Sequence, residues 1–413
     1  MLSAFAHYGL NEQACRLIRH CSTRLALALT LLALPLCVTA QEEDTEEPRK
    51  LELVQVTGYR VERSTFVGPA PVNVYPRQEI QEAGANTLGE FFRMLPEMLG
   101  PVSETAQGSN FAGASYIDLR GIGIDNTLNL LNGKRVSAYA RNGATEPFVD
   151  INAIPVNAIE RIEILKDGAS AIYGADAVAG VVNIILRDSF DWLEIGGWYL
   201  TTTEGDGEEW NAELVWGREY EDTRMLLTLS YFNKSTIKER DRELTASADF
   251  SDQGGPDFRA FNSTPSTYLD LTTFQSIPDP ECGIDPNVSG LVSFPFFGDF
   301  CLFNFAWFQQ LTYETETFGG NFTILHDFSP SLSGRFEAFY SRRDNTAQLA
   351  PTPVLGGIIP TKHPDNPFGL PLEIAGRPLD TGDRVLDTTA DTYRILAGLE
   401  GTQGAWDWSA DLM

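Results

Sequence analysis

The 413-residue chain carries 57 Asp and Glu against 30 Lys and Arg, which gives a formal charge of −27. So acidic a chain is unsuited to nucleic acid, because phosphate contacts need patches of Lys and Arg. No long uninterrupted apolar stretch follows the first 40 residues, and this excludes a bundle of transmembrane helices.

Residues 1–40 have the three-part pattern of a secretory signal. Three arginines precede an apolar run, and small residues close the segment at Ala40. The run is shorter than the roughly 20 residues that a helix needs to cross a bilayer. We therefore expect cleavage after Ala40, which removes three Arg and one Glu and leaves a charge of −29. An exported soluble protein and an outer-membrane β-barrel remain as classes.

Two cysteines remain after that cleavage, Cys282 and Cys301, and both lie in one segment rich in Gly and Pro. In an exported protein a disulfide is the favoured interpretation, with two free thiols as the alternative. Closing so short a loop would contribute about 3 kcal/mol in the chain-entropy model.

The mature chain divides into three regions. Residues 41–50 are highly charged, and we expect them to form a disordered tether. Residues 51–188 read as an α+β unit that is rich in Val, Ile and Leu, with Gly between the segments. From residue 191 onward, apolar and polar residues alternate, which predicts strands with one apolar and one polar face.

About seven such strands are predicted, and their links have unequal lengths. Long links at residues 235–310 and 344–388 leave from one end of the array, whereas three short links lie at the other end. A soluble sandwich would also bury one face of each strand, but this asymmetry of links is typical of outer-membrane barrels. The alternating segments lie near residues 193–200, 210–216, 227–231, 318–324, 332–340, 393–399 and 406–412.

A closed barrel of this kind needs an even number of strands, and seven strands cannot pair the first with the last. The chain also ends inside an alternating stretch at Met413. We therefore expect the barrel to be incomplete in this chain.

Residues 116–136 and 155–186 contain the most specific patterns. Asn132-Gly133 predicts a tight hairpin, because both residue types tolerate positive φ. Residues 155–186 read as a strand, a turn, one helical turn and a buried strand. Gly121 and Gly123 do not make a nucleotide-binding loop, since a third Gly and a helix start are missing.

No catalytic constellation is apparent in the mature sequence. Its only histidines, His326 and His363, have no candidate nucleophile near them in sequence and no zinc-type spacing. The sequence therefore predicts neither an enzyme nor a metal site, and it suggests no cofactor.

The runs LRGIGIDNTLNLLNGKRV and AIERIEILKDGASAIYGADAVAGVVNIIL resemble the plug of TonB-dependent outer-membrane receptors. LELVQVTG, at residues 51–58, resembles their TonB box. The resemblance implies a plug at residues 59–188 and barrel strands at residues 191–413. It also implies location in the bacterial outer membrane, with three partners: outer-membrane lipid, an extracellular ligand, and the TonB protein, which couples plug movement to the proton gradient.

The same resemblance implies the functional residues. The box is β-prone, so it could add as a strand to a partner's sheet; an ordinary first strand of the plug is the alternative. Gln55 departs from the small apolar residue that is more common there. The residues expected to interact with TonB are Glu52, Leu53, Val54, Gln55, Val56 and Thr57.

Two plug loops, residues 103–115 and 139–148, are expected to face outward. Their candidate ligand contacts are Asn110, Phe111, Tyr139, Arg141 and Asn142, which suit stacking and hydrogen bonding; the alternative is that they only fill the lumen. The predicted function is active import of a scarce, bulky solute, which could be a carbohydrate, a peptide or a siderophore. The runs NLLNGKR and DGASAIYGADAVAGVVNIIL are similar in sequence to a branch of the family that is linked to carbohydrate or peptide uptake. The alternative is a passive porin or a surface adhesion barrel.

Overall fold

A computed structural model describes residues 72–98, 113–138, 148–166, 170–364, 366 and 368–413 of the chain. The signal, the tether and the TonB box lie outside these residues. All of the described residues belong to one compact unit, residues 54–413. Within this part of the chain, no helix is both long and apolar enough to cross a membrane.

The N-terminal domain, residues 72–187, is built on a five-stranded sheet with the order β1-β4-β5-β2-β3. Only β2 and β5 are parallel; the other neighbours are antiparallel. Its elements are β1 Val72–Pro76, α1 Arg77–Glu82, α2 Leu88–Arg93, β2 Thr127–Leu131, β3 Lys134–Arg135, β4 Ile159–Leu165, α3 Ser170–Tyr173 and β5 Gly180–Leu186, with 3-10 turns at Ile124–Asn126, Ile151–Ala153, Val156–Ala158 and Ala175–Ala177.

The residues at the N-terminus of helix α2 explain where this helix begins. Helix α2 begins after Thr87, whose hydroxyl accepts a hydrogen bond from the Glu90 amide at 3.2 Å. The Glu90 carboxylate accepts one from the Asn86 amide at 2.8 Å, so two otherwise unpaired donors are satisfied. The cap orients the helix so that Phe91 and Phe92 are buried in the core.

The predicted hairpin at Asn132-Gly133 is confirmed. Asn132 has φ 51° and Gly133 has φ 73°, and Leu131 pairs with Lys134 across the turn. Residues 116–119, further upstream, form no regular strand. Leu119 makes only an isolated bridge, to Met98, because the chain turns directly after it through positive φ angles.

In the rest of the chain, the regular elements among the described residues are strands and short 3-10 turns. Its strands are β6 Trp192–Thr201, β7 Glu208–Tyr220, β8 Thr223–Lys234, β9 Ile237–Lys238, β10 Thr267–Asp270, β11 Ser276–Pro278, β12 Ser289–Phe294, β13 Gly298–Phe303, β14 Gln310–Thr312, β15 Glu314–Ser329, β16 Leu332–Leu349, β17 Val354–Ile359, β18 Leu372–Gly376, β19 Arg384–Gln403 and β20 Trp406–Leu412, with 3-10 turns at Glu239–Asp241, Ser251–Gln253, Phe305–Phe308 and Leu379–Thr381.

Seven of these strands form one antiparallel sheet, here called the long sheet, with the order β20-β19-β16-β15-β8-β7-β6. Each of the seven alternating segments of the sequence lies in one of its strands. The strands are longer than the alternating segments, however. Strand β16 continues to Leu349 and β19 starts at Arg384, so the second long link is residues 350–383 rather than 344–388.

In the long sheet the apolar face is exposed and the polar face is buried, which is the reverse of the arrangement in a water-soluble protein. Ile195 is 72% exposed and Tyr393 79% exposed on the apolar face, whereas Thr228 and Asn321 on the polar face are 1% and 2% exposed. The register places each set in one row across the strands. A sandwich would bury its apolar row, so the arrangement is that of a membrane barrel wall, with the polar face covered by the N-terminal domain.

The two long links fold together. Strands β10 to β13 from the first link and β17 and β18 from the second form a six-stranded sheet, here called the cap sheet. Arg377 joins the two links, because its guanidinium donates to the carbonyls of Pro351 at 2.6 Å and Asn262 at 3.3 Å. Cys282 and Cys301 form a disulfide that links the loop before β12 to β13.

We predict that replacing both cysteines by alanine loosens the cap sheet and leaves the long sheet intact. The bond closes a loop with a sequence separation of 19 residues, so its loss should cost about 3 kcal/mol of local stability. Chymotrypsin on intact cells should then cleave within the cap sheet, and reductant should have the same effect on the unchanged protein. Equal cleavage rates with and without the disulfide would refute this.

Candidate functional site at the interface between the N-terminal domain and the long sheet

The site residues that the sequence suggested all lie outside the described residues. These are the box residues Glu52, Leu53, Val54, Gln55, Val56 and Thr57 and the loop residues Asn110, Phe111, Tyr139, Arg141 and Asn142. What the structure does describe is the interface that holds the N-terminal domain against the long sheet.

A buried carboxylate is at the centre of this interface. Glu337, on β16, has a side chain that is 1% exposed. Arg335 contacts one of its oxygens, and Arg394 of β19 donates to the other at 2.8 Å. The amide of Asn132 donates to Glu337 Oε1, also at 2.8 Å. Because a buried charge is tolerated only when it is paired and hydrogen-bonded, these partners make the inward position of Glu337 stable.

Asn132 joins the core of the N-terminal domain to this carboxylate. Its Oδ1 accepts from the Leu186 amide at 2.8 Å, while its Nδ2 reaches Glu337 on the long sheet. One side chain therefore fixes the β2–β3 turn, the end of β5 and the wall. Lys134, two residues on, forms an ion pair with Asp411 of β20.

Apolar contact reinforces the same side of the wall. Phe339, also on β16, is 5% exposed and is part of the hydrophobic core cluster that includes Ile117, Ile151 and Ile162 of the N-terminal domain. Burying such a ring is worth roughly 1.5–3 kcal/mol. The domain and the wall thus share one core at this strand.

The first strand of the wall carries a second charged contact. Glu194 of β6 lies 3.7 Å from Arg77 and 3.4 Å from Arg187 of the N-terminal domain. Burial lowers the pKa of Arg77, and the nearby Arg187 charge lowers it further. Arg77 also donates to the Asn157 carbonyl at 2.8 Å, so its guanidinium is held in place.

A third charged contact lies next to the two predicted ligand loops. Arg343 of β16 and Asp150 have side chains that are 3% and 6% exposed, and Arg343 Nη1 lies 3.1 Å from Asp150 Oδ1. Asp150 Oδ1 also accepts from the amides of Ser115 and Asn152, each at 3.2 Å. Since one ligand loop ends at Ser115 and the other at residue 148, this pair anchors the inner ends of both.

Sequence reasoning missed Glu337, Asp150 and Arg343. Glu337 and Asn132 are separated by 205 positions, so no local pattern could link them. The sequence contained only a weaker signal for Glu337 and Arg343. Glu337 and Arg343 occupy inward positions in an alternating strand, where a charge needs a partner. Among the described residues no cluster of His, Cys, Asp and Glu is placed to hold a metal ion.

We predict that Glu337→Ala loosens the N-terminal domain by about 3–5 kcal/mol, because Arg394 is left buried without its counter-charge. Trypsin digestion of the full receptor in increasing urea measures this as a lower urea midpoint for cleavage of the domain. Glu400→Ala, which removes an exposed carboxylate from the neighbouring strand β19, is the control. Equal midpoints for the two variants would contradict the assignment.

Comparison with known proteins finds a matching family model in the N-terminal part of the chain. A family model described as TonB-dependent Receptor Plug Domain matches residues 66–181. The chain is 32% identical to the vitamin B12 transporter BtuB of Photobacterium profundum over 163 residues, which are 40% of this chain and 24% of that protein. It is also 32% identical to the probable TonB-dependent siderophore receptor PirA of Acinetobacter baumannii over 181 residues, 42% of this chain and 23% of that protein.

The chain spans about a quarter of the length of these curated relatives. A crystal structure of a mutant ferric enterobactin receptor (PfeA) from Pseudomonas aeruginosa aligns with a TM-score of 0.49 and 17% identity, over 84% of this chain and 41% of that one. The plug model and both relatives agree with the resemblance that the sequence motifs carry. The N-terminal domain is therefore a TonB-dependent receptor plug domain, and the long sheet against which it packs has the strand pattern of an outer-membrane barrel wall.

Proposed function

We propose that the protein is an energy-coupled importer, which binds a scarce, bulky solute at the cell surface and releases it to the periplasm when TonB remodels the plug. The observation that carries this proposal is the covered inner face of the wall. A passive porin needs an open lumen, whereas the described polar face is buried by the N-terminal domain through Glu337 and Phe339. Transport, rather than catalysis, is the role that this arrangement suits.

The plug is held firmly against the wall, so displacing it requires energy. Its described contacts with the wall include the Glu337 cluster and the Arg343–Asp150 pair, both desolvated. Separating Arg343 from Asp150 breaks a buried ion pair, which costs roughly 3–5 kcal/mol, and Glu337 also loses its hydrogen bond from Asn132. Thermal motion alone would rarely open such an interface, so an external energy source fits the geometry, and residues 51–58 are the proposed point where TonB grips.

The net charge of the two long links indicates which solutes the protein would bind. The two long links, residues 235–309 and 350–383, carry fifteen acidic and six basic residues. Several of the basic side chains are already neutralised: Arg242 pairs with Asp206 at 2.6 Å, and Arg259 pairs with Asp257 at 2.7 Å. The outward surface is therefore negative. It disfavours polyanions such as ferric catecholates and favours neutral or cationic solutes, such as carbohydrates or peptides.

We predict that Leu53→Pro abolishes coupling to TonB. Proline removes a backbone donor from the strand that would pair with the partner's sheet. The purified TonB C-terminal domain should therefore bind the full receptor at least about tenfold more weakly, a loss of about 1.4 kcal/mol. The control is Thr45→Pro, which places the same residue in the tether. If both variants retain TonB as the unchanged receptor does, the box assignment is wrong and a passive or adhesive role gains support.

The charge argument predicts how a ferric catecholate behaves. For ferric enterobactin, like-charge repulsion should make association with the full receptor slower at low salt than at high salt. Cyanocobalamin, which is uncharged, should show little salt dependence. Stopped-flow fluorescence in detergent at two ionic strengths measures both. Faster association of the catecholate at low salt would mean that the entrance is locally positive, and the inferred substrate class would fall.

A further inference from the structure

The plug and the wall meet through charged and uncharged contacts, which are unevenly distributed over the strands. Charged contacts to the plug are made by Glu194 on β6, Glu337 and Arg343 on β16 and Asp411 on β20. Phe339 adds an apolar anchor, also on β16. Strand β16, which carries the buried Glu337, Arg343 and Phe339, is therefore the most firmly attached part of the described wall, and Glu194 and Asp411 add more exposed charged contacts on β6 and β20.

The intervening strands β7, β8 and β15 contact the plug differently. Across three successive rows, their inward residues are small or uncharged, with Glu213 as the one ionisable group among them. We call this region the seam, and its residues are Asn211, Glu213, Val215, Phe232, Ser230, Thr228, Thr317, Gly319 and Asn321.

The plug touches the seam with residues 152–157. Asn157 Nδ2 donates to the Leu229 carbonyl at 3.0 Å. Pro155 packs on Gly319 so closely that a Cβ at Gly319 would lie 2.4 Å from Pro155 Cγ. Within the described part of the chain, no ion pair joins plug and seam. A single neutral hydrogen bond of this kind is worth only about 0.5–1.5 kcal/mol.

The seam is also poorly satisfied. Four buried oxygens along it have no protein partner: Asn157 Oδ1, Asn211 Oδ1, Thr228 Oγ1 and Asn321 Oδ1. A cavity of about 50 Å³ lies at one end of the seam, between Asn152 and Pro155 of the plug and Thr317 of the wall, and Asn211 is among the residues that line it. Polar groups that lack a protein partner gain from contact with water, so separating these surfaces costs less than separating the charged contacts.

Among the described residues, charged side chains join the plug to the wall at the outer end of the seam. Lys234 of β8 lies 2.8 Å from Glu209 of β7 and 3.7 Å from Glu90 of the plug. These side chains are 14–21% exposed, so the contact is weaker than a fully buried pair. In the row beyond Thr228 and Asn321, the inward residues are the uncharged Leu226 and Thr323.

We propose that the solute crosses along the seam. In this account the plug stays attached to β16 and β20 while residues 152–157 separate from β7, β8 and β15. The proposal rests on the import function above and deepens it. Hydroxyl and amide groups make up most of the polar lining of this passage. Glu213 is the one ionisable seam residue, and the nearby Arg343 is already paired with Asp150, so the passage suits a neutral solute rich in hydroxyls or amides.

Cysteine accessibility in cells tests this directly. Thr317→Cys and Ser230→Cys place a thiol in the seam, and Leu396→Cys places one on β19 beside Glu337, where the side chain is 2% exposed. The probe is fluorescein maleimide, added outside to cells that make the full receptor and TonB, with or without a protonophore. We expect labelling of both seam thiols to rise at least several-fold in energised cells, while Leu396→Cys stays unlabelled.

The other outcomes separate the two proposals. If Leu396→Cys is labelled and the seam thiols are not, the seam inference is wrong and energy-coupled transport stands. Equal labelling of all three overturns the seam, because the whole plug would then leave. Seam labelling that ignores the protonophore supports the passage and overturns energy coupling. No labelling of any thiol in energised cells overturns both.

Discussion

A buried negative charge organises this molecule. Glu337 lies on a strand whose other face is apolar and exposed, so its carboxylate is sealed between lipid-type surface on one side and the N-terminal domain on the other. Such a charge is stable only with its full set of partners. Arg335 and Arg394 come from the wall, but Asn132 comes from the plug. The set of partners around Glu337 is therefore complete only when the plug is in place.

That dependence connects fold to function. If the inner face of the wall were uncharged, the plug could leave it at little cost in free energy. Such a plug would not keep the barrel closed reliably. Here the attached strands and the seam divide the interface into a firm part and a weak part. In the proposed mechanism, work done on the plug opens the weak part first, while Phe339 and Glu337 keep the domain in register for return.

The sequence predicted the parts of the fold that depend on local pattern. The alternation of apolar residues identified all seven strands of the long sheet, and Asn132-Gly133 identified the hairpin. Strand ends were underestimated, because β16 keeps its hydrogen-bond ladder through Asn345 to Leu349, where the outward residues Thr346 and Gln348 are polar and the alternation of apolar and polar residues fades. The cap sheet was missed entirely. Its strands are three to six residues long, and β10 pairs with β18 across about a hundred residues.

The account depends most on the apolar row facing lipid while the polar row faces the plug. Spin labels at Ile195→Cys and Ile395→Cys, in the full receptor reconstituted in bilayers, test this most directly. Both should be accessible to oxygen, which partitions into lipid, and shielded from a water-soluble nickel chelate. Collisions with the nickel chelate at both positions, with little oxygen effect, would show that this face is in water and that the sheet is not a membrane wall.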